Sequence, residues 1–379
     1  MATLDTSYTQ RRWYRVALWL HRWTGLLATP FFLLLCISGS VLIFHEEIDA
    51  AFAAMPTGSR AGHAGALPLQ ALADRAMPPE HHAVYVDLAK RNEGIVTFGV
   101  APAGTGRSAD TLPVQVNAWT GTAAPMRDPR ETVTGFLLEL HAEWFAGLPG
   151  RLFGGLVALM TLVALLTGVV VHAPHVRRLA LGAIRRERGA RVVQLDWHNF
   201  LGIITLGWAL VVTATGVLLA VASLLLVLWQ ATELKAMTAV VPGTPALARA
   251  VPIDTAIAAA AVARPDRRAN FAFLPGAEYA GPHHYTVILY GREPYNQRLF
   301  DIAAVNAATG KVDAIRPLPL YLSAVALSEP LHFGDYGGLV LKLFWLANAW
   351  GVLWITGNGA WLWWEKRRRA RRDVQLVPA

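Results

Sequence analysis

Only one cysteine, Cys36, occurs in 379 residues, and it lies inside an apolar run. An intrachain disulfide is therefore impossible. An iron–sulfur cluster, which needs several thiolates, is excluded too. Charge is also scarce: 16% of residues are charged against 54% hydrophobic, with a mean hydropathy of +0.36. That is too apolar for an ordinary soluble protein. No Gly-x-Gly-x-x-Gly follows a strand, and Gly104-Thr105-Gly106 falls in an expected loop, so nucleotide or flavin binding is not expected on this chain. No His-Glu-x-x-His and no Ser-His-Asp arrangement argues for hydrolysis. No small-residue site ends the first apolar run, so no cleaved signal peptide is expected. The net charge of +8 does not point to nucleic acid, because the basic residues cluster beside apolar runs. That is the pattern of cytoplasmic membrane flanks.

What the chain does have is four long apolar runs. Roughly 17–25 apolar residues suffice to cross a bilayer as a helix. The expected order is a polar arm 1–15, a span 16–45, an outer segment 46–149, a span 150–172, a basic loop 173–197, a span 198–230, a second outer segment 231–336, a span 337–364 and a basic tail 365–379. Arg177, Arg178, Arg185, Arg186, Arg188 and Arg191 crowd the loop, and Lys366, Arg367, Arg368, Arg369, Arg371 and Arg372 crowd the tail. That side is read as cytoplasmic, which puts both termini inside and both long segments on the outer side of the membrane. Each outer segment has a helical stretch (67–77 and 253–262) and alternating strands (83–87 and 94–100; 285–290). Each also carries one Asn-x-x-Thr-Gly turn, Asn117-Ala118-Trp119-Thr120-Gly121 and Asn306-Ala307-Ala308-Thr309-Gly310. The fold class expected is membrane α-helical. It is a four-span bundle from two parallel repeats, each with an α+β periplasmic insertion, about a pseudo-two-fold axis along the membrane normal.

The duplication is sharpest at two helix mouths. Leu20-His21-Arg22-Trp23-Thr24-Gly25 leads to Ser38-Gly39, and Trp197-His198-Asn199-Phe200-Leu201-Gly202 leads to Thr215-Gly216. The histidine-to-second-glycine distance is the same in both (39 − 21 = 216 − 198 = 18). Six histidines stand at span ends. His21, His172 and His198 fall on the inner side, and His45, His141 and His332 on the outer side. A single interfacial histidine is ordinarily a wet polar residue. Six of them, with His21 matching His198 and Leu140-His141 matching Leu331-His332, read instead as axial ligands of haem b. Three candidates on each side suit two haems stacked across the bilayer, each held by facing helices. Four of the six would bind iron. Symmetry favours His21/His198 and His141/His332, but His141 precedes Pro149, outside the expected span, and the pairing stays open. Gly25 and Gly202, one turn past their histidines, are expected to let a flat macrocycle approach the backbone. His81-His82 and His283-His284 occupy equivalent places before outer strands and read as solvated loop residues rather than iron or copper ligands. Glu46, Glu47 and Asp49 read as a helix-end cap. The tryptophans of the fourth span, Trp345, Trp350, Trp354, Trp361, Trp363 and Trp364, read mostly as lipid-facing or belt residues.

In order and topology, Leu20–Gly25, Phe44-His45-Glu46-Glu47-Ile48-Asp49, Thr167-Gly168-Val169-Val170-Val171-His172, Leu195-Asp196-Trp197-His198-Asn199 and Thr356-Gly357 before the basic tail resemble the PepSY-associated transmembrane family. The resemblance spans nearly the whole chain, and the outer segments resemble PepSY modules. Some members of that family are di-haem ferric-siderophore reductases of the inner membrane. The resemblance therefore implies an oxidoreductase that passes electrons across the bilayer to a periplasmic ferric siderophore. The donor would be a quinol or a cytoplasmic flavoprotein. The alternatives are a non-catalytic PepSY membrane protein that binds a peptide, protease or chelate, and a haem quinol oxidoreductase unrelated to iron.

Overall fold

The computed structural model describes residues 11–52, 65–176, 182–240, 242–293 and 296–375. The chain divides into two compact units, one helical and one built on a sheet.

The helical unit is organised by four helices long and apolar enough to cross a membrane. They are α1 (Arg12–Leu42), α5 (Gly147–Val176), α6 (Ala190–Trp229) and α9 (Gly338–Gln375). Shorter helices are α2 (His45–Phe52), α4 (Val133–Glu143) and α8 (Leu320–Phe333). Helix α1 packs along α5 and α9. The helices overrun the expected spans, because a helix satisfies its own backbone whether its flank is apolar or wet. Helix α6 starts at Ala190, just past Gly189 with φ +83°, so His198 lies two turns inside it. Helix α9 continues through the basic tail to Gln375. The first helix is shifted toward the N-terminus, beginning at Arg12 rather than at 16. It ends at Leu42, and His45 opens the separate helix α2, so His21 and His45 do not share one helix.

The sheet unit draws strands from both insertions. Its strands are β1 (His81–Asp87), β2 (Ile95–Pro102), β3 (Leu112–Asn117), β4 (Arg267–Phe273), β5 (His284–Gly291), β6 (Phe300–Asn306) and β7 (Val312–Pro317). They form one antiparallel sheet in the order β3-β2-β1-β4-β5-β6-β7. The seam pairs Tyr85 with Phe273, Val86 with Ala272 and Asp87 with Phe271. Left apart, β1 and β4 would each be an open edge; pairing them removes both. The Tyr85 and Phe271 rings stack across the seam at 5.2 Å between centres. Gly99 makes room for Tyr85, since a Cβ there would lie 2.0 Å from its Cε1.

Helices α3 (Leu69–Ala76) and α7 (Ile253–Ala263) cover one face of the sheet. Their core joins Leu69, Leu72, Phe98, Val116, Ile253, Ala256, Val287 and Val305. Alternation along β5 sends Ile288 to the opposite face, against Trp229, Leu234, Met237 and Ile302. The Asp254 carboxylate accepts from the Leu69 and Gln70 amides at 2.9 and 3.1 Å, so the second segment caps the first segment's helix. Both Asn-x-x-Thr-Gly turns share one geometry. Asn117 Oδ1 accepts from the amides of residues 119 and 120, and Asn306 Oδ1 from those of 308 and 309. Gly121 and Gly310 take φ of +74° and +71°, a region that favours glycine.

Candidate functional site

Four of the six span-end histidines meet in two pairs within the helical unit. His21 on α1 faces His198 on α6, ring centres 6.4 Å apart and planes at 83°. His141 on α4 faces His332 on α8, centres 6.3 Å apart and planes at 68°. The first pair lies toward the basic end, where α1 and α6 begin. The second lies at the other end of α1, against Gly39. Gly39 is 18 residues past His21, about 27 Å of helix at 1.5 Å per residue.

Each imidazole is seated in the same way. His21 Nδ1 lies 2.8 Å from the Ala164 carbonyl, and a Cβ on Gly168 would lie 3.1 Å from His21 Cε1. His332 Nδ1 lies 3.0 Å from the Val212 carbonyl, with Gly216 under its ring. His141 engages the Leu35 carbonyl and rests on Gly39, whose Cβ would come within 3.0 Å. His198 faces the Ile355 carbonyl over Gly359, in a looser geometry that leaves Nδ1 without a full hydrogen bond. In all four cases the carbonyl belongs to the residue four before the glycine. The physical reason is local. A helical side chain lies over the turn N-terminal to its own Cα, and so beside the carbonyl four residues back. Glycine leaves that carbonyl open to a second donor from a neighbouring helix.

An Nδ1–H that donates to a carbonyl leaves Nε2 as a bare lone pair, the neutral ligand form of imidazole. At the second pair a hydroxyl joins in. Ser38 Oγ is 2.9 Å from His141 Nδ1, and Thr215 Oγ1 is 3.1 Å from His332 Nδ1. Both hydroxyls donate to their own helices, Ser38 to the Leu34 carbonyl and Thr215 to that of Val211, so their lone pairs remain to accept. The matching residues at the first pair, Thr167 and Asn358, bond elsewhere, to the Val163 carbonyl and to Gln194.

His141 reaches this place because α4 turns back sharply. Trp144 and Phe145 both take left-handed φ, 51° and 55°, which is costly for bulky residues. Phe31, Trp144 and Phe153 close around that turn, with centres 4.9–5.9 Å apart. Its position before Pro149 therefore does not carry His141 away from the bundle.

Of the other two histidines, His45 joins neither pair, whereas His172 lies near the first. His45 Nδ1 lies 2.9 Å from the Leu42 carbonyl, three residues back. His172 interacts electrostatically with His198, one turn past Gly168. Gly25 and Gly202 seat no ring: a Cβ at Gly202 would meet nothing within 4 Å, and one at Gly25 only Ala164 Cβ at 4.0 Å. The glycines in contact are Gly39 and Gly216 of the repeated motif, Gly168, quoted only for the family resemblance, and Gly359, which sequence reasoning passed over. Their signal was a small polar residue before a glycine in every span.

Beyond the second pair, Lys342 is buried at 5% exposure. It donates to both Glu47 oxygens at 2.7 and 2.9 Å, with Glu46 at 4.0 Å. The lysine's hydrogen bond and charge hold the Glu47 carboxyl below its usual range. Glu47 is thus a partner for a buried cation rather than a solvated cap. Asp49 accepts from Thr134. Trp345, also buried, donates from Nε1 to the His332 carbonyl at 3.2 Å, unlike the exposed Trp350, Trp354 and Trp364. In the sheet unit His284 is no solvated loop residue. It is 1% exposed and bonds Asp313 at 2.9 Å from Nε2. No group of three or more His, Cys, Asp or Glu side chains placed to hold a metal ion occurs among the described residues.

Two facing imidazoles do suit an iron held by a macrocycle. Imidazoles bonded to one first-row metal at about 2.0 Å, with ring centres about 1.1 Å behind the nitrogens, stand roughly 6.3 Å apart centre to centre. Both pairs have that spacing. The open flank of Gly202 leaves backbone accessible one turn from His198.

The family pattern described as the PepSY-associated TM region matches residues 18–366 of the chain. An uncharacterized protein of Pseudomonas aeruginosa is 28% identical in a 258-residue alignment that covers 62% of this chain and 64% of that protein. The chain thus spans less than two thirds of the curated relative it matches.

Proposed function

Because the chain belongs to the PepSY-associated transmembrane family, we propose that it is a di-haem inner-membrane oxidoreductase that carries electrons across the bilayer to a ferric siderophore. The observation that supports this most is the repeated seating of four imidazoles. Two pairs at 6.4 and 6.3 Å lie near opposite ends of one membrane-length helix. Bound between each pair, haem b supplies a one-electron iron couple.

The chain's own residues do the rest. His21 and His198 would hold one haem, and His141 and His332 the other. The carbonyls of Ala164, Val212 and Leu35 fix the ring tautomer and orientation, as outer-shell acceptors do at metal sites. Ser38 and Thr215 add acceptors at the second pair, which orients its rings further. The arginine-rich ends lie on the cytoplasmic side in this reading, so the second pair faces the periplasm. A quinol or a cytoplasmic flavoprotein would supply electrons from within. A siderophore grips Fe(III) with hard oxygen ligands, and the reduced ion is softer and more weakly held. Release then needs no hydrolysis, consistent with the lack of hydrolytic motifs.

The test mixes pre-reduced purified protein with a ferric hydroxamate chelate and a ferrous-specific trap. Haem reoxidation matched by an equal amount of trapped Fe(II) is the expected result. Reoxidation by a quinone but not by ferric chelates would favour a quinol oxidoreductase. Protein without haem would favour a binding protein.

A further inference from the structure

We infer that Trp208 and Trp345 form the path that couples the two imidazole pairs electronically. The inference rests on the reading of both pairs as redox centres. The two levels are separated by about 27 Å of helix, and what fills that gap decides how well they communicate. The middle of the bundle holds Cys36, Ala209 and Val352 packed with Phe32, Leu165, Trp208 and Leu353. Trp208 stands ten residues past His198 and eight before Gly216, about 15 and 12 Å along α6. Gly216 is the residue that seats His332. The indole of Trp208 therefore lies between the two levels.

From there the contacts run on to the second pair. The Trp208 and Trp345 rings meet edge to face, centres 6.4 Å apart at 82°. Trp345 donates its Nε1–H to the main-chain oxygen of His332 at 3.2 Å. Packing alone does not explain the choice of tryptophan. Trp208 Nε1 is buried with no hydrogen-bond partner, and a buried orphan donor is costly. Leucine or phenylalanine would fill the space with no polar atom to satisfy. An indole does offer a delocalised π system, which couples distant centres better than saturated side chains do. With haem bound, one electron would pass from the group held by His21 and His198, leaving it oxidised, to the group held by His141 and His332, leaving it reduced. No bond or proton changes, and neither indole is itself oxidised.

The experiment injects single electrons by pulse radiolysis into full-length protein in nanodiscs and follows equilibration between the two haem α-bands. Trp208→Leu and Trp345→Leu are expected to slow equilibration several-fold, and Trp208→Phe less, with both midpoint potentials retained. Trp350→Leu, at an exposed position, is expected to leave the rate unchanged. An unchanged rate in Trp208→Leu, or an equal slowing in Trp350→Leu, overturns the path. If Trp208→Leu loses a haem, Trp208→Phe carries the test, and an unchanged rate there overturns it as well. Fewer than two haems in the wild-type protein overturns the functional reading itself and the path with it, so the two failures are told apart by the unmutated spectrum.

Discussion

Gly39, Gly168, Gly216 and Gly359 bring no chemistry of their own, yet each sets whether an imidazole can reach a helix carbonyl. A Cβ at any of them would come within 3.0–3.3 Å of a histidine ring carbon, and a branched side chain would push the ring away. Gly39→Val and Gly216→Val are each expected to lose the haem of the His141/His332 pair and keep the other, by pyridine haemochrome assay. The same assay separates the six histidines. His198→Ala and His332→Ala should each lose a haem, while His45→Ala, whose ring bonds the Leu42 carbonyl at the end of α1, should lose none. Lys342 makes a prediction with a direction. Its ammonium is buried, whereas Glu47 is half exposed. Glu47→Gln strands a buried cation, and Lys342→Met strands only a wet carboxylate. The first should therefore lower the melting temperature more than the second, because the cost lies in the uncompensated buried charge.

At the scale of elements, the seam between β1 and β4 and the Asp254 cap join segments that are far apart in the chain. Asp254→Ala removes both acceptors of the α3 N-terminus and should cost about 1–2 kcal/mol, the usual worth of a cap, read as a shift in thermal or urea unfolding of the full chain. Apolar run length gave the four long helices. Period-two alternation gave strands 83–87, 94–100 and 285–290. The paired Asn-x-x-Thr-Gly signals gave both turns. These are local patterns, each contained within a few turns or strands. The union of two insertions into one sheet was not legible, because nothing in β1 or β4 alone names its neighbour. Nor was the seating of the histidines: His21 meets a carbonyl 143 residues away, and His332 one 120 residues away. The equal spacing of 18 residues was visible, but it reads as a mark of duplication. Its physical content, a histidine level and a glycine level on one helix, appears only when α4 and α8 fold back onto α1 and α6. The turn at Trp144 and Phe145, against the usual conformational preference, is why His141 seemed to lie outside.

For the molecule as a whole, an electron carrier requires a centre near each membrane face, and the helical unit has an imidazole pair near each end of α1. The account joins them into one route, from a donor at the basic end to a ferric chelate at the other. Its central claim is that the chain binds two haems between these four histidines. The most direct measurement is the haem content and reduced-minus-oxidised spectrum of detergent-purified protein from haem-replete cells, beside His198→Ala and His141→Ala. The account predicts a b-type spectrum with two haems per chain, falling to one in each variant. Colourless wild-type protein, or variants that keep the full complement, would contradict it.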